Sequence, residues 1–474
     1  MGGLFFGKPF SIFLFYISIF LFLFLILKQK NKNFIVFFQI LAFASTFYFF
    51  SLIWLVKFLK IYSGFNVIFA SLAIFALSLY LSIYFSFSFL FSKFFPEKYF
   101  LYIFPLFFWI FEYLRGIVFT GFPWNPIHLP LGYFPFLVQG LSIFGGYGFS
   151  AVVLFFFLGL CYQIIKKKIN FIWLLFFLAL IIFNFLWISH DIKEDRLNIC
   201  LIQVQIDELE RFIYGEGYEG LKKSLRHSAG VKEDVDLLVF PESLFLTTYD
   251  KDNFIFDDFN KLSLKFPVLF NANIEKDEKT FNSAILLHRE EVLKIYRKNH
   301  LVPFGEYLPL RNFFESIGFK KIARSLLDFD RGKEVGIFRF PENFGVSICY
   351  EIIFPEISRR ELVEGAKFMV VLTNDSWYGN TLGPYQHFLL AQLKGVEFHR
   401  PLVRSALTGI SGFIDSHGRV ISKMGLGKEG ILCSKIELSN RKTPYFYLKE
   451  YPPFILIVAI LIFLYIEKSR KNKL

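Results

Sequence analysis

Gly-Val-Ser-Ile-Cys-Tyr-Glu (residues 345–351) shows a pattern that recurs in the C-terminal half of this chain. A short apolar run, suited to a buried strand, leads directly into Cys349 and then into polar side chains. Two other apolar runs end in the same way, with Glu242 after Leu-Leu-Val-Phe-Pro and Lys298 after Val-Leu-Lys-Ile-Tyr-Arg. Sites in α/β sheets are built at the carboxyl ends of strands. These three residues are therefore candidates for one site.

Strand-like and helix-like patterns alternate around these positions, which predicts an α/β domain. The predicted strands include Leu197–Gln205, Leu237–Phe240, Val268–Asn271, Ala284–Leu287, Gly345–Cys349, Phe368–Leu372 and Leu402–Leu407. The predicted amphipathic helices are Glu219–Ala229, Glu356–Glu364 and Gln386–Phe398.

The remainder of the 474-residue chain is dominated by long apolar runs. Apolar residues make up 54% of the sequence and charged residues only 19%, a composition too apolar for an ordinary soluble enzyme. A membrane-spanning helix needs about 20 apolar residues. Runs near that length predict spans at Pro9–Leu27, Phe34–Val56, Asn66–Phe91, Tyr99–Arg115, Phe144–Ile165, Phe171–Trp187 and Pro453–Tyr465.

The loops between these runs differ in charge. Lys28, Lys30 and Lys32 follow the first run and Lys166–Lys168 follow the fifth, whereas the loop Gly116–Gln139 is almost free of basic residues. The positive-inside rule places the basic loops in the cytoplasm. The loop Gly116–Gln139 and the long segment after residue 190 are then extracytoplasmic. The net charge of +12 fits this topology better than nucleic-acid binding.

We therefore predict a transmembrane bundle at 1–189, an extracytoplasmic α/β domain at 190–451, and a transmembrane helix with a basic tail at 452–474. The four cysteines show neither a CxxC pair nor a histidine at metal-ligand spacing, which argues against a metal site. Cys200 and Cys433 fall in the first and last predicted strands of the outer domain. The simpler interpretation is that both are buried free thiols. The alternative is a disulfide between them, which an oxidising compartment permits.

Glu242, Lys298 and Cys349 together supply the parts of an acyl-transfer site. A thiol becomes a good nucleophile only when a base takes its proton. A carboxylate in an apolar pocket has a raised pKa and suits that role. A fixed ammonium can stabilise the oxyanion that forms on an attacked ester. The thioester product remains reactive enough to acylate an amine.

Longer motifs around these residues resemble the nitrilase superfamily and, more narrowly, the apolipoprotein N-acyltransferases of bacterial membranes. The strongest are Tyr-Arg-Lys-Asn-His-Leu-Val-Pro-Phe-Gly-Glu-Tyr-Leu-Pro (296–309) and Ile-Cys-Tyr-Glu (348–351). Further matching strings are Phe-Pro-Glu-Ser (240–243), Thr-Asn-Asp-Ser-Trp-Tyr-Gly (373–379), Gly-Pro-Tyr-Gln-His (383–387), Arg-Pro-Leu-Val-Arg-Ser (400–405) and Glu-Tyr-Leu-Arg-Gly-Ile-Val-Phe-Thr-Gly-Phe-Pro-Trp (112–124).

The resemblance implies a four-layer αββα sandwich attached to an α-helical membrane bundle. It implies that Glu242, Lys298 and Cys349 form the catalytic triad, supported by Glu306 and, beside the nucleophile, by Tyr350 and Glu351. Trp377 and Tyr378 fit either a lining of the acyl entrance or ordinary packing.

The implied reaction is ping-pong and needs no metal or soluble cofactor. An acyl chain passes from a phospholipid, typically phosphatidylethanolamine, to Cys349. It then passes to the amine of a diacylglyceryl-cysteine at the N-terminus of an apolipoprotein. The implied location is the bacterial inner membrane, with several spans and the catalytic domain on the periplasmic side.

The sequence departs from the family pattern in three places. One of the family's eight spans has no counterpart, no tryptophan occurs within Glu208–Tyr214, and Leu407 stands where the family often has asparagine. Two other pairs of residues attract attention. We expect structural roles for His387 and His399, and an ion pair at the membrane interface for Glu112 and Arg115.

Two other classes of function use parts of the same pattern. A membrane-tethered amidase would use the same triad with water as acceptor, although a soluble amide would not need so large a bundle. A transporter or receptor with an outer sensory domain would carry more ionisable residues within its spans.

Overall fold

The chain forms two compact units, which are described separately. One unit comprises Met1–Ile53, Ser71–His190 and Lys442–Leu474, and the other comprises Trp54–Ala70 and Asp191–Arg441. The computed structural model describes residues 9–29, 33–62, 66–188, 196–206, 218–231, 234–244, 248–250, 256–309, 311–312 and 328–471. Lys30, Lys32 and the segment Glu208–Tyr214 lie outside these ranges.

Helices form within all of the predicted apolar runs. A helix satisfies the backbone hydrogen bonds of an apolar segment internally. Five of the helices in the described ranges are long and apolar enough to cross a membrane, and the first and last contain the shorter apolar stretches Ile12–Lys28 and Pro452–Glu467. The helices up to residue 188 are α1 (Pro9–Lys28), α2 (Asn33–Leu52), α3 (Leu55–Tyr62), α4 (Val67–Ser92), α5 (Phe100–Ile117), α6 (Leu141–Lys166) and α7 (Phe171–Ile188).

The prediction of one span over Phe34–Val56 is wrong at its C-terminal end. The chain turns at Ile53 and Trp54, so α2 ends at Leu52 and the separate helix α3 follows. Helix α3 carries two exposed lysines, Lys57 and Lys60, which do not suit a continuous apolar span. It belongs to the compact unit that contains the strands.

Glu112 and Arg115 form an ion pair inside the helical unit. The guanidinium donates to both carboxylate oxygens of Glu112 at 2.9 and 2.7 Å, and also to the carbonyl oxygens of Phe122 and Trp124. Both charged side chains are buried. The predicted pairing is confirmed, but the pair is enclosed by protein instead of being exposed at a surface, since the main-chain carbonyls of the following loop complete its hydrogen bonds.

The second unit contains two six-stranded sheets with mixed pairing. The first sheet has the order β12-β1-β2-β3-β4-β5 and the second has the order β11-β10-β9-β8-β7-β6. The strands of the first sheet are β1 (Arg196–Gln203), β2 (Leu237–Val239), β3 (Val268–Lys276), β4 (Lys279–His288), β5 (Glu291–Arg297) and β12 (Gly430–Glu437). Those of the second are β6 (Ile337–Phe338), β7 (Phe344–Ile348), β8 (Phe368–Asn374), β9 (Leu402–Leu407), β10 (Ser411–Ile414) and β11 (Val420–Met424).

Helices cover the outer face of each sheet, which confirms the predicted four-layer αββα arrangement. The inner faces share one apolar core, in which Ile199 and Val239 of the first sheet pack with Val346 and Val370 of the second. Helices α8 (Tyr218–Ser228) and α9 (Asp257–Ser263) cover the first sheet, and α10 (Pro355–Val363) and α11 (Gly383–Phe398) cover the second. The chain ends with α12 (Pro444–Leu448) and α13 (Pro452–Lys471).

The first and last strands of the first sheet are cross-linked. Strands β1 and β12 pair antiparallel with Cys200 directly opposite Cys433, and the two residues form a disulfide. The structure therefore agrees with the disulfide interpretation of these cysteines and not with the free-thiol interpretation. Within the described ranges, Cys161 and Cys349 are free and buried.

Candidate active site

Each predicted triad residue directly follows a strand or a short extension of one. Glu242 lies three residues beyond the end of β2 and Lys298 comes immediately after β5, both in the first sheet. Cys349 follows β7 in the second sheet and begins a tight turn, Cys349–Ile353. Because the inner faces of the sheets pack together, residues from both can contribute to one buried cluster.

Lys298 lies between two carboxylates. Its Nζ is 2.8 Å from Oε1 of Glu306 and 3.4 Å from Oε1 of Glu242, and its side chain is only 1% exposed. Burial alone would lower the pKa of Lys298, but the charges of Glu242 and Glu306 raise this pKa above its ordinary value. The raised pKa favours the ammonium form of Lys298, which suits an electrostatic role better than that of a general base.

Glu242 is held from several sides within the same cluster. Its Oε1 accepts a hydrogen bond from the Asn282 amide at 2.9 Å, and its Oε2 accepts one from the main-chain N–H of Asn374 at 2.9 Å. Burial raises the pKa of Glu242, an effect that Lys298 opposes and Glu306 reinforces. A raised carboxylate pKa suits proton transfer near neutral pH.

Cys349 combines a buried thiol with an unusual backbone conformation. Its φ is +52°, in the left-handed region that non-glycine residues seldom adopt. Burial raises the pKa of the Cys349 thiol and the negative charge of Glu242 raises it further, whereas Lys298 and a hydrogen bond with Thr373 lower it. The net direction is upward, so the resting group is a thiol that needs a proton acceptor before it can attack.

Glu351 connects the turn that begins at Cys349 to the segment that follows Lys298. Its Oε2 accepts the main-chain N–H of Ile348 at 2.8 Å, while its Oε1 accepts those of Asn299 and His300 at 2.6 and 3.0 Å. The Tyr296 hydroxyl also donates to Oε1, at 2.9 Å. Burial raises the pKa of Glu351 to about 7. These contacts are those of a positioning residue.

The other predicted supporting residues pack beside the cluster. Tyr350 is buried, with its ring 5.0 Å from that of Phe354 in an edge-on arrangement. Trp377 and Tyr378 are half-buried in the turn Ser376–Tyr378, which closely follows β8. The ring of Tyr378 lies 6.1 Å from the imidazole of His387.

A second buried polar network adjoins Cys349 and was not assigned to the site from the sequence. The Arg404 guanidinium lies 3.0 and 2.9 Å from the two oxygens of Asp375. The Nδ1 of His387 is 2.9 Å from Asp375, and its Nε2 is 3.3 Å from the carbonyl oxygen of Cys349. Burial alone would raise the pKa of Asp375, but Arg404 and His387 hold it below its usual value. The expectation of a structural role for His387 thus becomes more specific, because His387 contacts the main chain of Cys349, the candidate nucleophile.

Two sequence signals could have indicated these residues. Asp375 and Arg404 are opposite charges at the end of one apolar strand and within the next, a pattern that predicts a buried pair. Asn282 is a buried amide in a largely apolar strand, and it donates to both Glu242 and Glu306. Leu407, which replaces the family's frequent asparagine, packs in an apolar cluster and so offers no polar side-chain contact.

Two family models match consecutive parts of this chain. Residues 201–443 match the family model of carbon-nitrogen hydrolases, and residues 3–159 match the N-terminal domain of apolipoprotein N-acyltransferases. A Saccharomyces cerevisiae member of branch 10 of the nitrilase superfamily aligns with 56% of this chain and 97% of its own, at 19% identity and a TM-score of 0.37.

Relatives match both parts of the chain together. The apolipoprotein N-acyltransferase of Rhodopseudomonas palustris is 30% identical over 392 residues, covering 75% of this chain and 72% of that protein. The apolipoprotein N-acyltransferase of Wigglesworthia glossinidia is 29% identical over 436 residues, covering 87% and 86% respectively. The chain carries the N-terminal domain of these enzymes followed by a carbon-nitrogen hydrolase domain, and its relatives share both parts. It therefore belongs to the apolipoprotein N-acyltransferase family.

Proposed function

We propose that this membrane acyltransferase carries an acyl chain on Cys349 between a phospholipid and the N-terminal amine of a lipoprotein. The observation that supports this most directly is the Lys298 ammonium, which is fixed between Glu242 and Glu306 and acts electrostatically on the buried thiol. The cluster thus provides a base, an oxyanion partner and a nucleophile.

In the first half-reaction, Glu242 accepts the proton of Cys349 and the sulfur attacks the ester carbonyl of the donor lipid. Negative charge develops on the carbonyl oxygen, where the Lys298 ammonium stabilises it. The intermediate then collapses, the bond between the carbonyl carbon and the glycerol oxygen breaks, and Glu242 returns the proton to that oxygen. The products are a thioester on Cys349 and a lysophospholipid.

In the second half-reaction, the α-amino group of the diacylglyceryl-cysteine attacks the thioester. An ordinary α-amino group has a pKa of about 7.7–8.0, so much of the acceptor is protonated at neutral pH and must lose a proton before attack. The ammonium proton passes to bulk water. As the neutral amine attacks, Glu242 takes a second proton from its nitrogen and delivers it to the departing Cys349 sulfur. An amide forms on the lipoprotein and the thiol is restored.

We further propose phosphatidylethanolamine as the donor and the periplasmic face of the inner membrane as the site of the reaction. The Cys200–Cys433 disulfide supports that location, because disulfides persist in the periplasm and are rare in the cytosol. The basic loops predicted to be cytoplasmic support it independently. Cysteine labels introduced near Asp250 should be reachable from outside, and labels in the loop Lys166–Lys168 only from the cytoplasm.

A peptide assay tests the whole reaction. The purified enzyme is mixed with phosphatidylethanolamine and a diacylglyceryl peptide, and the peptide is analysed by mass spectrometry. A peptide with a free N-terminus should gain one acyl chain, while the same peptide with a blocked N-terminus should not. Release of free fatty acid at the same rate without peptide acylation would show hydrolysis by water and contradict the proposal.

A further inference from the structure

Helix α3 is fixed against the turn that contains Trp377 and Tyr378. The Trp54 indole N–H donates to Oε1 of Gln386 at 3.0 Å, and its ring contacts that of Tyr378 edge-on with centroids 4.6 Å apart. One turn further along, the ring of Phe58 lies 6.0 Å from that of Trp377. These aromatic contacts give a short helix a defined position on the α/β unit, which sequence propensity alone would not.

Lys57 lies between these two anchors and projects over the same turn. A Cβ added to Gly379 would come within 2.3 Å of the Lys57 Nζ, so the ammonium lies directly above the main chain of Gly379. Gly379 has a φ of +58°, and glycine therefore suits both the backbone conformation and the limited space. Among the residues that the structure describes, none forms an ion pair with Lys57, and the side chain is exposed.

Side-chain contacts connect the turn beneath Lys57 with the main chain of Cys349. Tyr378, the neighbour of Gly379, lies beside His387, whose Nε2 is 3.3 Å from the carbonyl oxygen of Cys349. Two side chains, Tyr378 and His387, therefore link the position of an anionic group held by Lys57 to Cys349. In a phospholipid, only the glycerol backbone separates the phosphate from the scissile ester.

We propose that Lys57 binds the phosphate of the phospholipid acyl donor and so places its ester at Cys349. The inference rests on the proposed function and adds a site for the donor headgroup. An exposed ammonium that forms no ion pair within the described ranges suits a phosphate as a point charge. Lys57 recognises the singly charged phosphate of a glycerolipid and does not distinguish between headgroup alcohols.

The test measures single-turnover loading of Cys349 in neutral detergent micelles, without acceptor, by intact mass. Two donors carry the same fatty acid: phosphatidylethanolamine, and a p-nitrophenyl ester that lacks phosphate. We expect Lys57→Gln to slow loading from the phospholipid roughly tenfold, the size of one charge-assisted contact, and to leave loading from the ester unchanged. Lys57→Arg, which keeps the charge, should recover most of the loss. Lys60→Gln is the matched control on the same helix and should change neither rate by more than about twofold.

The other outcomes overturn the inference in distinct ways. Equal loss with both donors would mean that Lys57 only supports the fold, and an equal effect of Lys60→Gln would mean a general attraction of lipid by basic charge. Normal phospholipid loading by Lys57→Gln would remove the site. If inorganic phosphate at the lipid concentration slowed wild-type loading from phospholipid as strongly as Lys57→Gln does, the site would take free phosphate instead. Failure of the wild-type enzyme to load from either donor would instead contradict the proposed function itself.

Discussion

The Lys298 ammonium lies 2.8 Å from Oε1 of Glu306, and the other oxygen of Glu306 accepts the main-chain N–H of Val302 at 2.8 Å. The carboxylate that holds the lysine is thus itself held by the loop that follows β5. Asn282 adds a hydrogen bond from the neighbouring strand β4. A group proposed to stabilise an oxyanion must be in place before charge develops, and this arrangement fixes Lys298 in advance.

Replacing Lys298 by arginine should abolish acyl loading almost as completely as replacing it by alanine. The side chain is 1% exposed and its single nitrogen contacts both carboxylates, whereas a planar guanidinium is larger and differently shaped. Loading rates and thermal unfolding of Lys298→Arg and Lys298→Ala should be measured together. A folded Lys298→Arg protein with near-normal loading would make the lysine a structural counter-ion of Glu242.

Replacing Glu306 by glutamine should slow loading and also shift its pH dependence. The negative charge of Glu306 helps to raise the pKa of Glu242, so its removal lowers the pKa of the proposed base. Glu242 then remains ionised to lower pH, and the acidic limb of the pH–rate profile moves to lower pH. Glu342→Gln, which alters a carboxylate paired with Lys367 at the surface, is the control and should leave the profile unchanged. An unchanged acidic limb of the pH–rate profile in Glu306→Gln would show that the charge of Glu306 does not affect the titration of Glu242.

Asp375→Asn should destabilise the α/β unit and slow loading from phospholipid. The substitution leaves the fully buried Arg404 guanidinium without its counter-ion, which costs roughly 3–5 kcal/mol in buried pairs. It also weakens the contact between His387 and the carbonyl of Cys349. Asp415→Asn removes a partly exposed partner of Arg419 and should cost less than about 1 kcal/mol. Similar unfolding temperatures for the two variants would show that the buried network contributes little.

Apolar runs and their terminal residues were enough to predict most of this fold. Strand β9 has the predicted bounds, Leu402–Leu407, because every one of its residues is buried and the run is largely apolar. Strands β10 and β11 were not predicted: β10 is only four residues long, and β11 mixes polar residues with the exposed Val420 and Ile421 at a sheet edge. Edge strands lack the continuous apolar pattern of buried parallel strands.

The partners of the site residues were harder to predict than the residues themselves. Asn282 reaches Glu242 and Glu306 because the β4–β5 hairpin pairs Ser283 with Arg297, next to Lys298. Such a register depends on tertiary packing and is not visible in either strand alone. The sequence predicts helix α3 as the end of a span for a related reason, since the partners of Trp54 lie more than 300 residues away along the chain.

The cysteines should divide into one disulfide and two free thiols. Alkylation of the unfolded, unreduced protein followed by peptide mapping should modify Cys161 and Cys349 and recover Cys200 linked to Cys433. Cys433→Ser should lower the unfolding temperature, since the cross-link joins the first and last strands of a sheet, and should leave Cys349 able to load. Recovery of four alkylated cysteines would contradict the disulfide and remove one support for a periplasmic location.

If Cys349 carries the acyl chain, the intact mass of the purified protein should reveal the loaded enzyme. Incubation with phosphatidylethanolamine and no acceptor should add the mass of one acyl chain, and neutral hydroxylamine should remove it, as it does a thioester. Cys349→Ser should form little adduct because a hydroxyl ionises far less readily than a thiol. Glu242→Gln should also fail to load, since an amide cannot accept the thiol proton. An adduct on another residue, or normal peptide acylation by Cys349→Ala, would contradict the account.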